Sequence, residues 1–127
     1  MKPVPRCIGL LATDGTVRSG VIARPCEAAG IIVLTPSSRD QVRLMTAIYG
    51  KKSIKAGFTR GSAQEAVLDV ARGLVRRGAE AVVAGCTEVP LVLAPADLPV
   101  PLVDPMIAGA RASVRRSGAR LIPARSP

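Results

Sequence analysis

Short apolar runs that alternate with helix-patterned stretches are the feature that most constrains the fold of this chain. Four runs have the length and composition of buried strands, at residues 7–13, 31–34, 81–84 and 100–103. The stretches between and after them have apolar residues at helical spacing, at 17–29, 42–49, 67–75 and 105–116. Strands that alternate with helices form a mostly parallel sheet covered on both faces. The sequence therefore predicts an α/β fold, a single three-layer domain with a mostly parallel sheet of about four strands.

Local chemistry predicts how three of the helices begin or break. Ser38 and Gln41 stand three apart at the start of an apolar periodic stretch, which predicts a capping box there. Pro25 should kink or shorten the helix over 17–29. Pro105 suits the first turn of the last helix, because its missing N–H would have no helical partner there.

Composition and length favour one compact domain without a membrane segment. The chain has 127 residues, of which 48% are hydrophobic but only 2% aromatic, so the core must consist of Val, Leu, Ile and Ala. No apolar run approaches the ~20 residues that span a bilayer. The run from Ile8 to Ala12 is too short for the core of a signal peptide. We therefore expect a cytoplasmic protein that does not enter a membrane.

The numbers of cysteine and histidine residues argue against a disulfide framework and a metal site. Cys7, Cys26 and Cys86 are an odd number and include no close pair, so a disulfide framework is not expected. The chain has no histidine and no CxxC pair, so we expect no metal site. The absence of histidine also removes the commonest general base. We expect Cys7 and Cys26 to be core residues.

A formal net charge of +9 raises the question of a nucleic-acid partner. Tyr49 and Phe58 are the only aromatic residues, so the chain offers little surface on which bases could stack. We expect no nucleic-acid partner; the charge fits either a solvated arginine-rich surface or attraction of small anionic substrates. The basic residues are scattered except for a group near the end of the chain: Arg111, Arg115, Arg116, Arg120 and Arg125.

Small polar residues follow the first and third predicted strands, at Thr13–Thr16 and Gly85–Glu88. Ligands of parallel sheets bind at the carboxyl ends of the strands, so these two segments should face one pocket. Cys86 lies just past its apolar run, where turn N–H groups and nearby cations would lower the pKa of its thiol and favour the thiolate. The alternative is that Cys86 is a small packing residue. Thr87 with its neighbouring backbone N–H groups could hold a carboxylate, and Lys55 could add a cation.

Several segments, taken in order, resemble one known family. They are LLATDGT at 10–16, a glutamine at 41, IKAG at 54–57, GAEAVVAGCTEVPLVL at 78–93 and VPLVDP at 100–105. Together they look like the aspartate/glutamate racemase superfamily, and most like its aspartate racemases. The resemblance covers nearly the whole chain, and GCTEVPL after a Gly-Ala-Glu-Ala strand entry is its most specific part.

The resemblance implies a cofactor-independent racemase that acts on a small dicarboxylate amino acid. Two cysteines would lie on opposite faces of the substrate α-carbon, one thiolate removing the α-proton while the other thiol returns a proton. Cys86 matches the cysteine of the family motif, Thr87 a carboxylate-binding threonine, and Glu88 an acidic residue that tunes or orients the thiol. Lys55 matches a lysine that contacts the side-chain carboxylate.

The family's first turn matches Thr13, Gly15 and Thr16, which the resemblance implies are substrate-binding. The alternative for Thr13 and Thr16 is that their hydroxyls only satisfy N–H groups of the turn or helix start. The corresponding alternatives are a solvated loop charge for Lys55 and a helix-dipole partner for Glu88.

The resemblance also implies a two-lobed fold, of which this sequence matches only the C-terminal lobe. In the family the other catalytic cysteine stands in a Cys-Asn-Thr setting in the first lobe, and this sequence contains no such tripeptide. One alternative is a racemase lobe that needs a complementary lobe, and a second is a homodimer that brings two Cys86 residues together. A third is a non-catalytic remnant or a dicarboxylate-binding or interaction module. A single-cysteine decarboxylase is ranked lower.

Two regions of unequal size are expected within the chain. Residues 1–104 would form the racemase-like lobe, and residues 105–127 a helix with a basic tail that packs on a partner lobe or chain. Met106, Ile107, Ala110 and Val114 give this helix a small apolar face.

Overall fold

The structure, a computed structural model, describes residues 3–123. Its four strands are β1 (Cys7–Leu11), β2 (Ile32–Leu34), β3 (Ala81–Ala84) and β4 (Leu102–Val103). Its five α-helices are α1 (Asp14–Ser19), α2 (Ala23–Ala28), α3 (Ser38–Tyr49), α4 (Ser62–Arg76) and α5 (Pro105–Arg116). Single 3-10 turns at Val89–Leu91 and Pro95–Asp97 lie between β3 and β4. All strand pairs are parallel, in the order β2-β1-β3-β4, which confirms the predicted sheet.

The two faces of the sheet are covered by different helices. On one face α3 and α4 contribute apolar stripes that pack with the sheet, and the fully buried side chains there include Leu11, Leu44, Ile48, Val67, Leu74 and Val82. On the other face the half-buried residues Val17, Ile22 and Cys26 of the α1–α2 region pack against Ile8, Leu10 and Val83. Helix, sheet and helix layers therefore give the predicted three-layer domain, with a core almost free of aromatic rings.

The first helical region differs from the sequence prediction of one helix over 17–29. It consists of two short helices, α1 and α2, and the break lies at Gly20 rather than at Pro25. Gly20 has φ 68°, a left-handed conformation that glycine adopts without strain, and its N–H donates to the carbonyl of Val17 at the end of α1. Pro25 lies in the first turn of α2, where its missing N–H costs no helical hydrogen bond.

The predicted capping box at Ser38 and Gln41 was wrong by one residue. Ser37 is the N-cap of α3, and its hydroxyl accepts a hydrogen bond from the Asp40 backbone N–H at 3.2 Å. Ser38 is the first helical residue. The side chain of Gln41 is therefore free of any capping role and reaches a different part of the molecule, described below.

The strand order shows that the chain adds strands first on one side of β1 and then on the other. From β1 the chain passes through α1 and α2 to β2 on one side of β1, then through α3 and α4 to β3 on the other side. Ligands of open α/β sheets bind at such a switch point, beyond the carboxyl ends of the two strands. Here the switch point lies between the ends of β1 and β3, which are followed by Thr13–Thr16 and by Cys86–Glu88.

Helix α5 forms as predicted, with Asp104 as its N-cap and Pro105 in its first turn. None of its residues is buried, and Met106 and Ile107 are 67% and 53% exposed. The division into 1–104 and 105–127 stays a prediction, as does the docking of this helix; the tail residues 124–127, including Arg125, lie outside the described part of the chain. Within residues 3–123, no helix combines the length and apolar character that a membrane span requires.

Candidate functional site

Four of the predicted site residues meet at the carboxyl end of β3, around the carboxylate of Glu88. Lys55 Nζ lies 2.8 Å from Glu88 Oε1. The Cys86 thiol and the Thr87 hydroxyl both donate to Glu88 Oε2, over 2.8 Å from Sγ and 3.1 Å from Oγ1. Glu88 thus connects the Cys86 thiol to Lys55, although Lys55 and Glu88 are 33 residues apart in sequence. We refer to Lys55, Cys86, Thr87 and Glu88 as the thiol cluster.

Gly85 is the residue that lets the chain turn from β3 into the thiol cluster. Its backbone N–H donates to the Leu11 carbonyl at 2.7 Å, which ties the start of the turn to the end of β1. A Cβ at position 85 would lie 3.0 Å from that same carbonyl oxygen and 2.9 Å from a methyl carbon of Leu10. Only glycine fits this close approach without displacing the neighbouring strand. Beyond the cluster, the buried Val89 anchors the following 3-10 turn in the core.

The electrostatics of the cluster hold the thiol in its protonated form. Burial raises the pKa of the Cys86 thiol, and the hydrogen bond to the negatively charged Glu88 raises it further. The same hydrogen bond, with that from Lys55, lowers the pKa of Glu88 to about 2. The prediction that the turn would favour the thiolate was therefore wrong. The cause is that burial and Glu88 outweigh the charge of Lys55, which acts to lower the pKa, and that only a single 3-10 turn follows Cys86.

The loop before α4 carries Lys55 to the cluster. It runs from Gly50 to Gly61 without helix or strand, and its backbone is fixed on α3 by hydrogen bonds from the Ile54 and Lys55 N–H groups to the carbonyls of Ala47 and Ile48. The lysine side chain is 42% exposed, and its Nζ lies 5.2 Å from the centre of the Tyr49 ring. This distance fits a cation–π contact. The pKa of Lys55 is raised, chiefly by its hydrogen bond to Glu88.

Thr13 and Thr16 lie at the carboxyl end of β1, on the other side of the switch point. Their hydroxyls hydrogen-bond to one another over 3.3 Å. Thr13 is the N-cap of α1, but its side chain makes no capping hydrogen bond. Neither threonine has a hydrogen bond to the thiol cluster among the described residues. The structure therefore brings four predicted site residues into contact and leaves these two as a separate, half-buried pair.

Gln41 is a residue of this region whose role the sequence analysis missed. Its amide nitrogen donates to the Ala12 carbonyl and to Asp14 Oδ1, both over 2.9 Å, so α3 holds the turn between β1 and α1. Its Oε1 is buried and has no hydrogen-bond partner. One signal could have found it: Gln41 precedes the buried Leu44 and Ile48 by three and seven residues, so a polar residue stands on the helix face that meets the sheet.

The surroundings of the site are open rather than enclosed. A groove of about 660 Å³ runs along α3 and is lined by residues that include Asp14, Gln41, Met45 and Tyr49. Cys86 does not line this groove. Within residues 3–123, no three residues among Asp, Glu, Cys and His come together in a way that could hold a metal ion. The arrangement is that of one wall of a site, with a thiol, a cation and hydroxyl groups at the carboxyl edge of the sheet.

Comparison with known proteins assigns the family. The model of the Asp/Glu/hydantoin racemase family matches residues 1–113. The chain belongs to this family. A protein of Pectobacterium carotovorum subsp. carotovorum, described only as an uncharacterized protein in the pnlA 3' region, is 36% identical over 86 residues, covering 68% of this chain and 55% of that protein.

Solved structures agree with the racemase assignment. A crystal structure from Yersinia pestis, described as a candidate Asp/Glu racemase, matches with a TM-score of 0.81 and 29% identity, over 89% of this chain and 49% of that one. The aspartate racemase of Picrophilus torridus matches with a TM-score of 0.71 and 26% identity, over 93% of this chain and 48% of that one. The chain thus spans about half the length of the proteins it matches.

Proposed function

We propose that this chain is one lobe of a cofactor-independent amino-acid racemase, in which Cys86 supplies a thiol acid–base group at the substrate α-carbon. The observation that carries the proposal is the hydrogen bond from the Cys86 thiol to Glu88, whose other oxygen is bound by Lys55. A cysteine with only a packing role has no need of a carboxylate 2.8 Å from its sulfur. Family membership supports the same chemistry.

The charges of the cluster suggest how the thiol would act. Because Glu88 and burial favour the protonated thiol, Cys86 begins as the acid that delivers a proton to the α-carbon. The carbanion to which it donates forms when a base on the opposite face has removed the α-proton. After donation the Cys86 thiolate lies next to Glu88, and this repulsion favours recovery of a proton. Lys55 and Thr87 are the groups suited to hold the substrate carboxylates.

A second acid–base group must come from outside the thiol cluster, because one thiol reaches only one face of the α-carbon. Cys7 lies at the start of β1, and Cys26 is a residue of α2 that packs against the face of the sheet, so neither is at the carboxyl edge. A complementary lobe fits the finding that the chain covers only about half of the solved racemase structures it matches. A second copy of the chain, paired about a twofold axis, is the other source.

A dicarboxylate-binding module without turnover is the second candidate function. The observation in its favour is the raised pKa of Cys86, which leaves little thiolate to act as a base near neutral pH. Such a module would use Lys55 and Thr87 and would not exchange the α-proton.

The test is exchange of the α-proton of L- and D-aspartate in deuterium oxide with the purified chain, alongside Cys86→Ser. Exchange that produces both enantiomers and is lost in the variant indicates a two-thiol site rebuilt by pairing. Deuterium incorporation into one enantiomer indicates a single working thiol. Binding without exchange, in the chain alone and with a complementary lobe added, would contradict the racemase proposal and favour the binding module.

A further inference from the structure

The thiol cluster is fully self-paired in the free protein. Lys55 donates a hydrogen bond to one carboxylate oxygen of Glu88, and Cys86 and Thr87 both donate to the other. The two groups suited to hold a carboxylate, Lys55 and Thr87, are thus already bound to a carboxylate of the protein itself. An anionic ligand that draws the Lys55 ammonium toward itself competes with Glu88 for that cation.

The two members of the ion pair differ in their freedom to move. The Lys55 side chain is 42% exposed, whereas that of Glu88 is 17% exposed and is fixed by two further donors. Exposed ion pairs contribute little net free energy, so the lysine can leave Glu88 at small cost. When a ligand arrives, we therefore expect Lys55 to turn toward it while Glu88 stays beside the thiol.

What happens to Glu88 next depends on the ligand. A plain dicarboxylate that takes Lys55 leaves Glu88 without its cation and brings a second negative charge close to it, which is unfavourable. A dicarboxylate that also carries an ammonium group can place that ammonium on the vacated Oε1. Every charge then keeps an opposite partner, and the Cys86 thiol keeps its acceptor.

We infer that Glu88 is a specificity-determining residue that admits amino-bearing dicarboxylates by exchange of ion pairs and disfavours dicarboxylates that lack the ammonium. The inference rests on the proposed function, in that it places the ligand at the thiol cluster. It assigns Glu88 a role in selecting the ligand in addition to its contact with the thiol. It also explains why a carboxylate with a strongly lowered pKa stands in a site for anions.

The test is NMR titration of the purified chain with L-aspartate and with succinate, which is the same diacid without the ammonium, at pH 7 and low ionic strength. Three proteins are compared: the wild type, Glu88→Gln, and Glu27→Gln. Glu27 is exposed on α2, so its substitution makes the same change of charge away from the cluster. We expect the wild type and Glu27→Gln to bind aspartate about fivefold more tightly than succinate, which is the upper size of one exposed ion pair. In Glu88→Gln, succinate should tighten and the preference should fall to within about twofold.

A second variant keeps the inference testable if Glu88→Gln does not fold. Lys55→Gln removes the exposed partner and leaves Glu88 without a cation, so succinate should weaken more than aspartate and the preference should widen. An unchanged preference for aspartate over succinate in Glu88→Gln, or a smaller preference in Lys55→Gln, overturns the inference. If the ligands still bind, the proposed function is not affected by that result. Failure of both ligands to bind any of the proteins overturns the inference together with the placement of the ligand at the thiol cluster.

Discussion

The carboxyl ends of β1 and β3 lie side by side at the switch point of the sheet, yet they are built in different ways. The end of β1 is held by a remote residue, since Gln41 on α3 fixes the Ala12 carbonyl and Asp14. The end of β3 is a charged cluster in which Cys86, Thr87 and Glu88 are consecutive and only Lys55 comes from elsewhere. One end is therefore shaped by packing between elements, whereas the other carries chemistry encoded largely in one short segment.

Substitution of Gly85, the glycine that joins the two strand ends, should disturb both of them at once. Gly85→Ala places a Cβ about 3 Å from a backbone carbonyl of β1, which cannot move without disturbing the sheet. We expect a loss of about 2–3 kcal/mol in the free energy of unfolding, measured by denaturant titration. Gly109→Ala is the matched control, because a Cβ there meets nothing within 4 Å on the exposed helix α5, and it should stabilise the protein by about 0.5–1 kcal/mol. Equal unfolding midpoints for the two variants would contradict the tight junction.

Gln41→Ala tests whether the end of β1 depends on packing. The substitution removes two hydrogen bonds that connect α3 to the β1–α1 turn, and we expect a loss of about 1–2 kcal/mol in the free energy of unfolding. The NMR shifts of Thr13 and Thr16 should change, while the shifts of Thr87 and Glu88 stay close to those of the wild type. Changes of similar size at both strand ends would show that the two are not independent.

The two strand ends also show which features could be predicted from the sequence and which could not. Apolar periodicity was sufficient for the sheet, for α3 and α4 and for the position of Cys86, since each depends on local patterns. The role of Gln41 and the pairing of Lys55 with Glu88 depend on contacts across 29 and 33 residues, which no local pattern contains. The break at Gly20 was missed because Pro25 is the stronger helix breaker in general but is harmless in a first turn.

The pH dependence of stability tests the charged end of β3. The pKa of Glu88 is lowered from 4.5 to about 2 in the folded protein, so its contribution is complete above about pH 4.5 and is lost as the pH falls toward 2. Between pH 7 and pH 3 we expect the wild type to lose about 1 kcal/mol more than Glu88→Gln, a value reduced for partial solvent screening. Parallel curves for the two proteins in acid denaturation would rule out this contribution, and Glu27→Gln should follow the wild type.

The smallest expected effect on stability concerns α5, which lies outside both strand ends. Ile107 is exposed on this helix, so Ile107→Ser should change the free energy of unfolding by less than about 0.5 kcal/mol. If α5 docks on a partner lobe or a second copy, the same substitution should weaken that association in analytical ultracentrifugation. A loss of more than about 1 kcal/mol in the chain alone would show that the helix packs on its own domain instead.

Glu88 should raise the pKa of the Cys86 thiol beyond the effect of burial alone, and titration of that thiol measures this contribution directly. The thiolate absorbance of Cys86 can be isolated by subtracting the titration of Cys86→Ser from that of the wild type, and the same subtraction applies in the Glu88→Gln background. We expect the pKa of Cys86 to lie above that of an ordinary cysteine thiol in the wild type and to fall clearly when Glu88 is replaced, because the negative charge and its hydrogen bond are gone. A wild-type midpoint at or below that of an ordinary cysteine thiol, or the same midpoint in both backgrounds, would contradict this expectation.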